Sequence, residues 1–327
     1  MSKLDISVNA EYASAEQLRD GMPERIGIFS IKTANETIQE ARNQPDPVRL
    51  WGDFWFEGEC CCLFADSNVG KSILAVQIAE EIAEQGRKVL YFDFELSPKQ
   101  FQLRCTDEVT GQLHTFPSTF YRVEIDRDYL DASDITEQVL SGISSAAAQT
   151  DAKVLIVDNL TYLCNDAEKG DIAGLLMMRL IALKKQLEMS MLIIAHTPKR
   201  PLTMPIGMND LAGSKKLANF FDSIFAIGRS AKDESLRYLK QIKVRNCERK
   251  YHSENVLVYQ VEKVQGLLKF NFVGYGTERE HLRVLTDEDK AAMGERVKDL
   301  TSQGMSVRDI GKELGISKSQ VNRLQHS

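Results

Sequence analysis

Eight consecutive residues, Ala65-Asp66-Ser67-Asn68-Val69-Gly70-Lys71-Ser72, follow the order of types that a phosphate-binding loop requires. The backbone N–H groups of such a loop, with the N-terminus of the helix behind it, point at phosphate oxygens. Gly70 allows close backbone approach, Lys71 reaches the β- and γ-phosphates, and the Ser72 hydroxyl serves as a Mg²⁺ ligand. ATP with Mg²⁺ is the ligand this chemistry predicts. The first motif position holds Ala65 where Gly is usual. That change costs little at negative φ and about 1 kcal/mol at positive φ.

Three more polar side chains stand at the ends of apolar runs. Asp158 closes Val154-Leu155-Ile156-Val157, where it can hold Mg²⁺ or a water on it. Glu95 follows Val89–Phe94 and is the candidate to orient and deprotonate water. Asp93 competes for that role from two residues deeper in the strand, and a helix-capping acid is the plainer role for Glu95. His196 follows Leu192–Ala195, at a strand tip suited to touching the γ-phosphate; a structural histidine is the alternative.

Bringing these groups together takes a sheet. Glu59–Phe64, Lys88–Phe94, Lys153–Asp158, Met191–Ala195 and Ser223–Ile227 are short apolar runs, predicted as buried strands. Lys71–Gln85 and Asp171–Met189 have helical spacing, and Ser97-Pro98-Lys99-Gln100 and Thr33–Glu36 have the spacing of capping boxes. Strands alternating with helices predict right-handed crossovers and a mainly parallel sheet. Leu236–Val244, Val256–Glu262 and Leu267–Phe272 then predict antiparallel strands at its edge. The expected organisation is an extension over 1–50, an α/β domain over 51–275, a linker over 276–288 and a small all-α domain over 289–327.

Composition narrows the classes. With 327 residues, about two domains are expected. An apolar share of 43% excludes a mostly disordered chain. No apolar run is long enough to span a membrane, and the first 20 residues lack the core of a signal peptide, so the cytoplasm is the expected location. The net charge of −6 gives no global case for nucleic acid, so any DNA site must be local. Six cysteines without a C-x-x-C pair argue against zinc or a disulfide framework, and Cys60–Cys62 are expected in a buried strand.

The order of P-loop, Glu95, Asp158 and His196 resembles the RecA-like members of the AAA-family ATPases, in particular the ring-forming branch of DnaB-type and RepA-type replicative helicases. Trp51–Glu59 is similar to that family's entry to the P-loop strand. Asp210-Leu211-Ala212-Gly213-Ser214 with Phe221-Asp222-Ser223-Ile224-Phe225 is similar to its segment after the sensor, and Lys243-Val244-Arg245-Asn246 resembles its K-x-R finger motif. The resemblance implies a RecA-like P-loop fold and a homo-oligomer, a hexamer, with Lys243 and Arg245 acting in trans on a neighbour's γ-phosphate. A solvated basic strand edge is the alternative for that pair. The family's N-terminal collar is not recognisable.

Two segments are expected to meet DNA. In the resembling family the stretch after the sensor faces a central channel and single-stranded DNA, which makes Lys199 and Arg200 phosphate contacts; a surface loop is the alternative. Ser306–Leu324 resembles a helix-turn-helix of the resolvase/sigma type. Ile310, Leu314, Ile316, Val321 and Leu324 would form its core. Lys318, Ser319, Gln320, Asn322 and Arg323 would point outward from the recognition helix into a duplex major groove. Residues 291–327 carry six basic and four acidic residues, a local positive balance. Gly311 stands where Ala is commoner, and a protein–protein module is the alternative role.

Two functions fit. One is a DNA-binding ring ATPase, a helicase-like motor in replication or mobilisation of a plasmid or mobile element. The other is an ATP-switched DNA-binding regulator, helicase loader or recombination mediator that does not translocate.

Overall fold

The computed structural model describes residues 25–26, 29–126, 135–159, 171–197, 200–211, 215–284, 287–314, 316 and 318–325. Lys199, Ala212, Gly213, Ser214, Gly315 and Ser317 lie outside them. The chain divides into two units, Met1–Pro47 and Val48–Ser327. In the first, β1 (Arg25–Ile26) pairs antiparallel with β2 (Phe29–Ser30), and α1 (Ala34–Ala41) starts at Thr33 with both halves of a capping box.

The second unit opens with a small hairpin, β3 (Arg49–Trp51) and β4 (Trp55–Phe56). There follow β5 (Cys60–Ala65), α2 (Lys71–Glu84), β6 (Val89–Asp93), α3 (Pro98–Arg104) and β7 (Phe120–Val123). Next come α4 (Ile135–Thr150), β8 (Val154–Asp158), α5 (Asp171–Gln186), β9 (Ser190–His196) and α6 (Lys215–Ala218). The sheet continues through β10 (Ser223–Arg229), β11 (Leu236–Lys243), β12 (Val256–Val264) and β13 (Leu267–Gly276). Three helices close the chain: α7 (Asp287–Ser302), α8 (Val307–Leu314) and α9 (Lys318–Gln325).

Nine strands form one sheet in the order β13-β12-β11-β10-β5-β9-β8-β6-β7. From β10 to β7 every pairing is parallel; β11, β12 and β13 add antiparallel. This is the α/β, RecA-like P-loop architecture. Strand β5 lies in the middle and is buried throughout. Its side chains alternate between two cores: Cys60, Cys62 and Phe64 face the α4–α5 layer, while Cys61, Leu63 and Ala65 face α2. Burial holds all three thiols in the protonated form. The parallel strands end along one edge, the edge where open α/β sheets bind ligands. Among the described residues no helix is long and apolar enough to cross a membrane.

The charged stretch 276–288, expected as a linker, begins as folded structure. A 3-10 turn at Glu278–His281 buries both of those side chains. Glu278 pairs with Lys240 of β11 at 2.5 Å and accepts from Ile206 N and the Ser253 hydroxyl. The pairing with a lysine 38 positions earlier is invisible to local charge patterning. The same contact fixes the segment after β9, whose Ile206 and Leu211 are buried. Helices α7 to α9 enclose their own core of Val297, Leu300, Ile310 and Val321, flanked by Leu314, Ile316 and Leu324. At Gly311 a Cβ would stand 2.8 Å from the Ile316 carbonyl, which explains a glycine there.

Candidate nucleotide site

The P-loop joins the end of β5 to the start of α2. Ala65 is the last residue of β5, paired with His196 of β9, and its φ is not positive, so the motif's usual first glycine is unnecessary. The left-handed positions are Asn68 (φ 60°) and Gly70 (φ 109°). Asn tolerates that region, and Gly70 needs its hydrogen twice, since a Cβ would also meet the Phe270 ring at 3.0 Å. Lys71 folds back over the loop, donating to the carbonyls of Ala65 and Asp66 at 3.0 and 2.9 Å. Burial pushes its ammonium below the usual range, against the opposing pull of Asp158, Glu95 and Asp66. An ammonium satisfied only by carbonyls, beside three acids, is suited to receiving phosphate.

Asp158 ends β8 and is buried. Tyr91 of β6 donates to its Oδ2 at 2.7 Å. Burial pushes its carboxyl up to about 6; hydrogen bonds from Ser72 and Tyr91 oppose this, while Glu95 and Asp93 add to it. A hydroxyl and a carboxylate held together at the mouth of the P-loop are the oxygen ligands that Mg²⁺ takes, with water and phosphate supplying the rest. Ser72 and Asp158 therefore fit the ion.

Glu95, half exposed, lies just past β6. The Asn159 amide Nδ2 donates to Glu95 Oε1 and stands 3.0 Å from His196 Nε2, which is itself 3.6 Å from the same carboxylate oxygen. The three form a polar chain across the ends of β6, β8 and β9. Burial and Lys71 lower the His196 imidazole, and Glu95 pulls it back up. Asp93, the competing carboxylate, is engaged elsewhere. It accepts from the Glu95 and Leu96 N–H groups and pairs with Arg122 Nε at 3.0 Å. Thr197 closes the circuit, donating to Asp66 Oδ1 at 2.5 Å. Sequence reasoning missed Asn159 and Tyr91: one follows a strand end without any pattern, and the other sits inside an apolar run.

The remaining candidates lie elsewhere. Lys243 ends β11 at the opposite edge of the sheet, where Nζ donates to the Ala218 and Phe221 carbonyls. Arg245, largely exposed, pairs with Asp222 at 2.5 Å. The register Lys243↔Ile224↔Cys62 keeps both away from their own chain's P-loop. Arg200 bends inward, its guanidinium bonded to the Met204 carbonyl. On α9, Lys318, Ser319, Asn322 and Arg323 are exposed, and Gln320 and Arg323 border a cavity against residues 201–204.

Residues 30–201 match the AAA domain family over more than half of the chain. The chain belongs to that family. The matched AAA domain takes in the P-loop, Glu95, Asp158 and His196, and ends before β10. Over 194 residues the chain is 27% identical to the DNA repair protein RadA of Campylobacter jejuni, covering 58% of this chain and 38% of that protein. Over 219 residues it is 24% identical to the DNA repair protein RadA of Mycobacterium tuberculosis, covering 64% and 41%. It is 25% identical to that of Chlamydia pneumoniae, covering 64% and 42%. The chain thus spans about two fifths of the length of these relatives.

Proposed function

We propose that this protein is a DNA-associated ATPase, hydrolysing ATP at the P-loop of its AAA domain. The observation that carries the reading is the convergence of Lys71, the Ser72–Asp158 pair and the Glu95–Asn159–His196 chain on one sheet edge. In this reading Lys71 exchanges its two loop carbonyls for β- and γ-phosphate oxygens. Mg²⁺, held by Ser72 with Asp158 beside it, would supply charge neutralisation at the phosphates. Glu95 orients a water and takes its proton. Asn159 holds Glu95 and His196 in register, so a change at the γ-phosphate is felt at Thr197 and the segment behind it.

The DNA association draws on the relatives, which are DNA repair proteins, on the segment after β9, and on the side chains of α9. A helicase-like ring motor is the finer reading, with Lys243 and Arg245 completing a neighbour's site. Those two residues lie away from their own P-loop, as a finger acting in trans must. The second reading is an ATP-operated switch or recombination mediator without translocation. The engagement of Lys243 and Arg245 within their own chain favours it. Phosphate release with and without single-stranded and duplex DNA separates the two. A motor is stimulated strongly by single strands; a switch hydrolyses slowly whatever DNA is present. Absence of nucleotide binding would remove both.

A further inference from the structure

The sheet edge that carries the P-loop also holds two arginines face to face. Arg229 ends β10, Arg237 lies near the start of β11, and the two are direct partners in the antiparallel ladder. Like charges directly opposite on a sheet destabilise the pairing. Among the described residues no carboxylate forms an ion pair with Arg229, and Arg237 donates only to the carbonyls of Val69, Glu234 and Leu236. Burial and the Arg229 charge push the Arg237 guanidinium below its usual range, against the opposing pull of Glu234. Such a pair is relieved by an anion.

The two guanidinium groups border a cavity of about 520 Å³, with Lys232 and Arg283 on its other sides. Its acids are Asp233, which accepts from Ser235 N and Oγ, and Glu234; Lys232 is paired with Glu280. Leu202 and Arg283 also line a second cavity of about 580 Å³, whose far wall includes Gln320 and Arg323 of α9. Sharing Leu202 and Arg283, the two make one trough that runs from Arg237, bonded to the P-loop's Val69 carbonyl, to the helix expected to meet DNA. Cations are distributed along it, in a protein whose net charge is −6. A single phosphate would fill only a fraction of two cavities of about 520 and 580 Å³, whereas a repeating polyanion can set a phosphate at each of several arginines. The second cavity is mainly apolar, with Leu202 and Met204 on its floor, a surface for unstacked base faces.

We infer that this trough holds a single-stranded nucleic-acid segment, with phosphates on Arg229, Arg237, Arg283 and Arg323. The inference rests on the DNA-associated reading above and gives that reading a place on the surface. Because Arg237 Nε donates to Val69 O at 2.9 Å, a strand in the trough touches the P-loop through one side chain.

The test is fluorescence anisotropy of a labelled oligothymidine strand with the full chain over a salt series. The salt slope of log affinity is expected to fall by about 0.7 for each arginine removed in an Arg229→Ser/Arg283→Ser variant. Lysine at both positions should keep the slope. Arg229→Ser alone, at an exposed position, carries the same test with half the change should the double variant fail to fold. If the wild type binds and both variants bind with its slope, the trough is wrong while the DNA reading stands. If the wild type binds no oligonucleotide, the DNA reading falls and the trough with it. Preference for a blunt duplex or for polyglutamate through the same arginines would also overturn the assignment.

Discussion

Lys71 and Asp93 show how two charged residues near one site serve different ends. Lys71 is held only by loop carbonyls, so its loss leaves the fold intact and the phosphates without their cation. Lys71→Ala should weaken ATP binding about 10- to 100-fold, the worth of charge-assisted bonds of about 1.5–3 kcal/mol; titration with a fluorescent ATP analogue checks this. Asp93 is buried, and its bonds to Arg122 and to two backbone N–H groups shape the turn that carries Glu95. Asp93→Asn should lower stability by about 3 kcal/mol, the low end for breaking a buried ion pair. Denaturant unfolding should register the loss even without nucleotide. Glu95 and Asp158 were legible in the sequence because each follows an apolar run. Asn159 was not, since one amide after a strand end has no periodicity to mark it.

At the scale of elements, the parallel strands were legible because strands covered on both faces read as unbroken apolar runs, as Cys60–Ala65 and Val154–Asp158 do. Helix α4 was not anticipated. Its buried Val139, Leu140, Ile143 and Ala147 sit among serines, glycine and alanines that give little contrast between faces. The turn after β13 was misjudged for a different reason. Glu278 is about 1% exposed, and its partners Lys240, Ile206 and Ser253 are all distant in sequence. Breaking that pair leaves a buried ammonium, so Glu278→Ala should cost about 3–5 kcal/mol. Thermal unfolding is the check, and protease cutting near residues 200–211 should rise with it, because Ile206 N loses its acceptor. A change under 1 kcal/mol would mean the segment is a linker after all.

At the scale of the whole molecule, the sheet separates two sets of cations. Lys71 lies at one edge, and Lys243 with Arg245 at the other. In the proposed ring, this separation lets Arg245 of one subunit serve the nucleotide site of the next. Arg245→Ala should bind ATP normally and hydrolyse it poorly, by the 10³–10⁵ that fingers in trans typically supply, about 10³ at least. Mixing it with Lys71→Ala subunits should restore turnover, since one donates the finger and the other the phosphate site. Mixtures that co-assemble and stay inactive would place Arg245 in a structural role with Asp222.

In the proposed reaction this edge hydrolyses ATP with Glu95 as the base. Steady-state phosphate release, measured beside ATP binding for the wild type and Glu95→Gln, tests it most directly. The wild type should turn ATP over, and the variant should bind ATP equally well and be slower by about 10²-fold or more. Equal turnover by the two proteins would contradict it.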